Sequence, residues 1–199
     1  MHPLDRIDAV AAPMPRPNVD TDQIIPGRFL QKPREPGLGG FLFHDLRFRP
    51  DGSEDPDFVL NQPAGRAARI LVAEANFGCG SSRENAVWAL HDHGFRAVIA
   101  PSFGDIFASN SLKNGLLPIR LPAAVVAGLL DELAREPGQT VAVDLAAQTV
   151  TLPGGAVHRF EIDPFARHCL LNGLDELDYT LSRAADIAAF ERRFGREND

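Results

Sequence analysis

The sequence has 199 residues, 44% of them hydrophobic and 24% charged, which is typical of a globular protein that buries its own core. Its net charge of −7 argues against nucleic acid as the main partner, because phosphate binding favours a basic surface. The two cysteines are too few for a disulfide framework or for a four-cysteine metal site. No apolar run is long enough to cross a bilayer and the first residues do not resemble a signal peptide, so we expect a cytoplasmic protein.

Residues 4–12 form a short mixed stretch that could be an edge strand, and the prolines that follow end it. The next segment, residues 18–26, has the sequence NVDTDQIIP. Its two aspartates are open to two interpretations. They can form an Asx turn and a helix N-cap, or Asp20 or Asp22 can serve a site as an orienting carboxylate or a proton carrier.

Residues 27–40 are dense in glycine, proline and charge. A loop of this length and composition is usually a lid, a binding loop or a disordered segment. We therefore expect a binding loop that is mobile in the isolated chain.

Residues 69–119 alternate between strand and helix patterns, which predicts a parallel sheet with crossover helices. The predicted strands are residues 69–75, 96–100 and 116–119, and the predicted helices are residues 82–93 and 106–113. The turns at residues 76–78 and 102–104 both follow strands, at the sheet edge where open α/β sheets place their ligands.

The turn and helix start at residues 76–84 have the sequence NFGCGSSRE. Ser81 and Glu84 have the spacing of a capping box, and the glycines allow a tight turn that comes close to a ligand. This pattern predicts an anion site at a helix N-terminus, with Arg83 as a bidentate clamp for a carboxylate. A well-capped helix without a ligand is the alternative. The spacing fits neither a dinucleotide fingerprint, a P-loop nor a nucleophile elbow.

The remaining sequence predicts an amphipathic helix, three antiparallel strands and two further helices, of which the last is capped by Ser182. The strands cover residues 140–145, 149–152 and 157–162, and the helices cover residues 123–136, 165–171 and 182–194. The predicted fold class is α/β, with a small parallel layer joined to an antiparallel layer.

Four motifs, at residues 18–26, 76–84, 100–107 and 110–118, together resemble the small subunits of 3-isopropylmalate dehydratases in the aconitase superfamily. The resemblance covers nearly the whole chain. It implies one swivelling β/β/α domain over residues 1–199, with residues 27–40 as the mobile substrate-recognition loop.

The resemblance also implies a heteromeric hydro-lyase that interconverts 2-isopropylmalate and 3-isopropylmalate in leucine biosynthesis. A large subunit would carry a [4Fe–4S] cluster, and this chain would bind no metal or cofactor itself. The expected partners are that subunit and a small dicarboxylate substrate, with neither nucleic acid nor membrane.

Site roles follow from the same motifs. Ser81 corresponds to the catalytic base, which removes a proton from the carbon next to a carboxylate. Arg83 corresponds to the arginine that holds a substrate carboxylate, with Ser82 and Gly80 in the same pocket. Asp22 corresponds to an aspartate near the reacting hydroxyl.

A second substrate arginine is implied in the loop, where Arg28 and Arg34 are both candidates. The loop residues Phe29, Leu30 and Gln31 bear on specificity. Relatives that act on tricarboxylates have an arginine where this chain has Gln31, so an apolar substrate arm is favoured. The alternatives are the small subunit of a citraconate/2-methylmalate or homoaconitate hydratase, and a non-catalytic module that binds small anions.

Overall fold

The structure is a computed structural model, and it describes residues 1–31 and 37–196. Within these residues, seven strands form one mixed sheet in the order β4-β3-β2-β1-β5-β6-β7. The strands are β1 (Arg6–Met14), β2 (Ile70–Ala73), β3 (Ala97–Ala100), β4 (Leu117–Arg120), β5 (Thr140–Asp144), β6 (Thr149–Thr151) and β7 (Val157–Arg159). The helices are α1 (Thr21–Ile24), α2 (His44–Arg47), α3 (Pro63–Ala67), α4 (Asn85–His93), α5 (Asp105–Lys113), α6 (Ala123–Arg135), α7 (Pro164–Asn172), α8 (Glu176–Ser182) and α9 (Ala184–Arg196).

The parallel half of the sheet confirms the predicted alternation of strands and helices. β1, β2, β3 and β4 pair in parallel, with α4 and α5 as the connections between β2, β3 and β4. Every residue of β2 and β3 is buried, as expected for strands covered on both faces. The pairs Met14↔Ala73 and Val72↔Ile99 bring the carboxyl ends of three strands to one edge.

The prediction of an edge strand at residues 4–12 is wrong, because β1 lies in the middle of the sheet. Its first half pairs antiparallel with β5, from Arg6↔Asp144 to Val10↔Thr140. Its second half pairs in parallel with β2, beginning at Ala11↔Ile70. The strand is long enough to serve two partners at its two ends, and both partners are distant in sequence.

The antiparallel half consists of β5, β6 and β7, in which β5 pairs with β1 and short turns join β5 to β6 and β6 to β7. The predicted α/β class, with a parallel part joined to an antiparallel part, is therefore confirmed. The two parts share β1 and so form one continuous sheet.

The core has two apolar clusters, one on each face of the parallel strands. Leu71 and Val98 point into the cluster that α4 and α5 cover, whereas Ile70 and Ile99 point into the cluster that α6 covers. This alternation follows the two-residue period of a strand. It anchors α4 on one face, so the loop before α4 has a fixed position at the sheet edge.

The C-terminal region departs from the prediction at Ser182. This residue ends α8 instead of capping the last helix, and its hydroxyl donates to the carbonyl of Tyr179 at 2.6 Å. Asp175 caps α8 by accepting the backbone N–H of Asp178 at 2.7 Å. None of the helices in the described ranges is long and apolar enough to cross a membrane.

Candidate active site

Three loops meet at the carboxyl edge of the parallel strands, and backbone hydrogen bonds join them. Asn18 N–H donates to the carbonyl of Ala75 at 2.9 Å, and Gly78 N–H donates to the carbonyl of Val19 at 2.7 Å. The loop after β3 joins through Phe77 N–H, which donates to the carbonyl of Ser102 at 3.1 Å. The predicted placement of both turns at this edge is confirmed.

Gly78 and Gly80 form the tight turn that the sequence predicts. Their φ angles are +72° and +96°, in the region that favours glycine. A Cβ atom on Gly78 would lie 2.2 Å from Cγ of the buried Phe107 ring, which leaves no space for a side chain. At Gly80 the same atom would lie 3.5 Å from Thr21 Oγ1, so α1 approaches the turn closely.

Ser81 does not cap α4, and the predicted capping box with Glu84 is wrong. Helix α4 begins at Asn85, and Glu84 precedes it without a side-chain capping bond. Glu84 Oε1 instead accepts a hydrogen bond from Asn114 Nδ2 at 2.7 Å. Ser81 therefore lies in the loop before the helix, and the anion site predicted around Arg83 stays a prediction.

The partner of Ser81 is Thr21, the first residue of α1. Thr21 Oγ1 accepts the Ser81 backbone N–H at 3.2 Å and lies 3.0 Å from Ser81 Oγ. Thr21 N–H also donates to the carbonyl of Cys79 at 2.9 Å. These contacts hold the serine turn against the start of α1.

Helix α1 confirms the capping interpretation for Asp20. Its Oδ1 accepts the backbone N–H of Gln23 at 2.8 Å, and the Gln23 side chain accepts the backbone N–H of Asp20 at 3.1 Å. This capping box orients the following residues, so that Thr21 is buried and Asp22 is exposed. Asp20 is therefore a structural residue, whereas the Asp22 side chain takes no part in capping the helix.

Asp22 forms an ion pair with Arg83. The hydrogen bond from Arg83 lowers the pKa of the Asp22 carboxyl, so this group is a carboxylate at neutral pH and accepts hydrogen bonds. The same hydrogen bond raises the pKa of Arg83. A Cβ atom on Gly27 would lie 3.4 Å from Asp22 Oδ1, so the start of the loop at residues 27–40 borders the pair.

Arg28 is held at the base of the loop by Asp45 of α2. Its Nη1 donates to Asp45 Oδ2 at 2.9 Å, and its guanidinium lies 4.6 Å from the centroid of the Phe29 ring. The hydrogen bond from Arg28 lowers the pKa of Asp45 to about 2. Phe29 stacks on Phe41 with 4.4 Å between ring centroids, which links the two ends of the loop.

Of the other predicted substrate-contacting residues in this loop, Leu30 and Gln31 are described by the structure and Arg34 is not. Leu30 is partly buried against the core, whereas Gln31 is exposed. Arg34 lies outside the described residues, as does the middle of the loop that is expected to be mobile. Ser82 and Gly80 are exposed at the serine turn. The structure thus places Asp22, Ser81 and Arg83 on adjoining segments. Gly80 and Ser82 flank Ser81 in the turn, and Arg28 contacts Asp45.

Two residues that contact the site were missed at the level of sequence. The Thr21 hydroxyl contacts Ser81. Asn114 contacts Glu84 and also accepts from Trp88 Nε1 at 2.9 Å. Both residues are polar and lie at an end of a helix, which marks them as possible site residues. That position does not identify partners that are distant in sequence.

Neither cysteine belongs to a group of metal-ligating side chains within the part of the chain that the structure describes. Cys79 lies in the serine turn, and Cys169 is buried on α7, where burial raises the pKa of its thiol. No group of three or more His, Cys, Asp and Glu side chains suited to a metal ion occurs among residues 1–31 and 37–196. The described residues therefore do not fit an iron–sulfur cluster.

Comparison with known proteins supplies the family. The model of the aconitase C-terminal domain matches residues 1–124, and the model LeuD_N matches residues 127–164. A 3-isopropylmalate dehydratase small subunit from Paramagnetospirillum magneticum is 56% identical over 96% of this chain and 95% of its own length. The chain belongs to the 3-isopropylmalate dehydratase small-subunit family.

Other members of this family agree with the assignment. A small subunit from Anaeromyxobacter sp. strain K is 56% identical over 96% of this chain and 98% of its own length. The crystal structure of 3-isopropylmalate dehydratase (leuD) from Methanocaldococcus jannaschii is 29% identical, with a TM-score of 0.69 over 92% of this chain and 98% of that one. The resemblance in the four motifs is confirmed, and Asp22, Ser81 and Arg83 all lie in the part that the aconitase C-terminal domain matches.

Proposed function

We propose that this chain is the small subunit of a hydro-lyase that interconverts 2-isopropylmalate and 3-isopropylmalate in leucine biosynthesis. The observation that carries the proposal is the serine turn beside the Asp22–Arg83 pair, in a chain 56% identical to a protein named 3-isopropylmalate dehydratase small subunit. The enzyme is active only when a large subunit completes the site. Its location in the cytoplasm remains a prediction.

Ser81 is the proposed base of the dehydration. It takes a proton from the carbon next to a substrate carboxylate, and the C–H electron pair becomes the second bond of a C=C double bond. The hydroxyl of the neighbouring carbon leaves with its bonding pair and, after gaining a proton, departs as water. Rehydration in the opposite sense gives the isomer.

A serine hydroxyl is a weak source of base at neutral pH, and Ser81 is not the capping residue of α4, which begins at Asn85. The assembled site must therefore supply donors for the developing charge and must exclude water. This requirement is consistent with a turn that is exposed on the isolated chain.

Arg83 is proposed to clamp a substrate carboxylate, with Ser82 and the backbone of Gly80 in the same pocket. In the isolated chain its guanidinium already contacts Asp22. Substrate must therefore share the guanidinium with Asp22 or displace it, which leaves the Asp22 carboxylate near the reacting hydroxyl. Its lowered pKa favours a role as hydrogen-bond acceptor over a role as acid.

The second substrate arginine is proposed to be Arg28 or Arg34. The Arg28 guanidinium contacts Asp45 in the isolated chain, so substrate would have to share or displace that carboxylate, as at Arg83. Phe29, Leu30 and Gln31 are proposed to favour an apolar substrate arm, since Gln31 offers no positive charge to a third carboxylate. A [4Fe–4S] cluster is proposed to belong to the large subunit, where it would activate the substrate hydroxyl.

The test is to purify this chain with and without its large subunit and to assay both on 2-isopropylmalate, citraconate and homoaconitate. We expect turnover on 2-isopropylmalate by the complex, weak or absent turnover on the other two, and none by the chain alone. Faster turnover on citraconate or homoaconitate would favour the alternative hydratases. Activity of the isolated chain without metal would contradict the proposed division of the site between subunits.

A further inference from the structure

Thr21 is the one polar side chain of α1 that is fully buried, with 1% of its surface exposed. Its hydroxyl contacts two polar groups of Ser81, the backbone N–H at 3.2 Å and Oγ at 3.0 Å. Within the described residues, Thr21 is the hydrogen-bond partner of Ser81 Oγ. In the hydrogen bond between the two hydroxyls, either oxygen could be the donor.

The chemistry of Ser81 determines the direction of this hydrogen bond when the serine acts as a base. A backbone N–H can only donate, so Thr21 Oγ1 uses one lone pair to accept it. When Ser81 acts as a base, its Oγ must lose a proton and can then only accept. The hydrogen bond between the hydroxyls must at that stage run from Thr21 to Ser81.

The backbone around Thr21 fixes the position of this donor. Thr21 N–H donates to the carbonyl of Cys79 at 2.9 Å, and the Thr21 carbonyl accepts from Ile25 N–H at 3.0 Å. Asp20 caps the helix just before it. The hydroxyl is therefore preorganised, which is the condition under which a donor stabilises a developing charge strongly.

We infer that Thr21 is a positioning residue for Ser81, and that its hydroxyl donates to Ser81 Oγ as the serine becomes an alkoxide. This inference rests on the proposed role of Ser81 as base. Thr21 touches neither substrate nor cofactor in this account. It acts by orienting Ser81 and by stabilising its deprotonated form.

The experiment uses the complex with the large subunit and four variants of this chain. Thr21→Val removes the hydroxyl and keeps the shape, Thr21→Ser keeps the hydroxyl, and Thr21→Ala differs from the serine variant only by that hydroxyl. Thr149→Val, in β6 of the antiparallel half, is the matched control for a threonine-to-valine change. The measurements are kcat, KM and the deuterium isotope effect with substrate labelled at the carbon that loses its proton.

We expect Thr21→Val to lower kcat by about 10²-fold, the usual effect of removing one donor to a developing oxyanion, with little change in KM. The isotope effect should rise, because proton abstraction becomes more nearly rate-limiting. Thr21→Ser should restore most of the rate, and Thr149→Val should match the wild type. If Thr21→Val does not assemble, a much higher kcat for the serine variant than for the alanine variant supports the same conclusion.

Two results would overturn the inference while leaving the proposed function intact, provided that Ser81→Ala is inactive. One is a Thr21→Val complex with the wild-type kcat. The other is a lowered kcat with an unchanged isotope effect, which would assign Thr21 a purely structural role. A Ser81→Ala complex that retains turnover would instead refute the serine base itself, and with it the role of Thr21.

Discussion

At the residue scale, the shape of the serine turn depends on Gly78. Its φ of +72° is strained for any residue with a side chain. The Phe107 ring fills the space where a Cβ atom would be, and only 2% of Phe107 is exposed. Two independent penalties therefore apply to the same substitution, backbone strain and overpacking.

We expect Gly78→Ala to lower the free energy of unfolding of the full chain by at least about 1–3 kcal/mol. The matched control is Gly128→Ala in the middle of α6, where a Cβ atom would meet nothing within 4 Å. That change should raise stability by about 0.5–1 kcal/mol, because alanine is the better helix former. Urea unfolding followed by circular dichroism measures both. Equal effects of the two substitutions would show that the turn does not have this geometry.

The site residues differ in how far the sequence alone could identify them. Arg83 directly follows two serines, so its membership of their pocket could be predicted from adjacency. Asp22 was one of two aspartates with equal claims, and its role came only from family resemblance. Thr21 contacts Ser81 across a separation of 60 residues, and a contact of that kind leaves no local pattern.

At the scale of elements, residues 81–84 show why a capping pattern can mislead. A serine followed three residues later by a glutamate is a helix-start signature. Here the start of α1 binds Ser81, and Asn114 at the end of α5 binds Glu84. Both residues of the predicted capping box thus form hydrogen bonds with other elements instead, and α4 begins later than its sequence pattern indicates.

A second contact between elements lies at the base of the loop at residues 27–40, where the turn that contains Arg28 meets α2. Arg28 lies in the 3₁₀ turn Gly27–Phe29, and Asp45 lies in α2. Their ion pair and the Phe29–Phe41 stack hold the described ends of the loop together. Arg28 therefore has a structural partner even though its sequence position suggested a substrate contact.

We expect the Asp45 carboxyl to titrate with a pKa of about 2 in the wild type, and nearer its ordinary 3.8 in Arg28→Ala. Because the pKa is depressed in the folded state, the pair stabilises the fold above pH 3.8, and this contribution is lost as the pH falls toward about 2. Carboxyl carbon chemical shifts followed down to pH 3 measure the difference.

The internal control for that titration is Asp51. Hydrogen bonds from Ser53 lower the pKa of Asp51, and Arg28 has no part in them. Asp51 should therefore titrate alike in both proteins. An Asp45 curve that is unchanged by Arg28→Ala would mean that the pair does not persist in solution.

At the scale of the whole molecule, local sequence patterns predict the parallel half of the sheet but not the position of β1 in it. The alternation of strands and helices over residues 69–119 is local, and the parallel half matches it. The place of β1 depends on pairing with β2 and β5, which are far away in sequence. A short stretch with partly exposed residues resembles an edge strand whether or not two partners flank it.

The placement of the candidate site also belongs to this scale. Ser82, Gly80 and Asp22 are all exposed at the carboxyl edge of the parallel strands. A site that must exclude water cannot be complete in this state, which is consistent with a large subunit that covers the edge. We therefore expect one face of the active site on this chain and the opposite face on a large subunit.

The central claim is that Ser81 supplies the base from this chain, and the most direct test is the kcat of the Ser81→Ala complex on 2-isopropylmalate. We expect a loss of about 10²–10⁴-fold, the usual contribution of a general base, with assembly and KM little changed. Ser109→Ala, an exposed serine on α5, is the matched control and should keep the wild-type rate. A Ser81→Ala complex that turns over at nearly the wild-type rate would contradict the account.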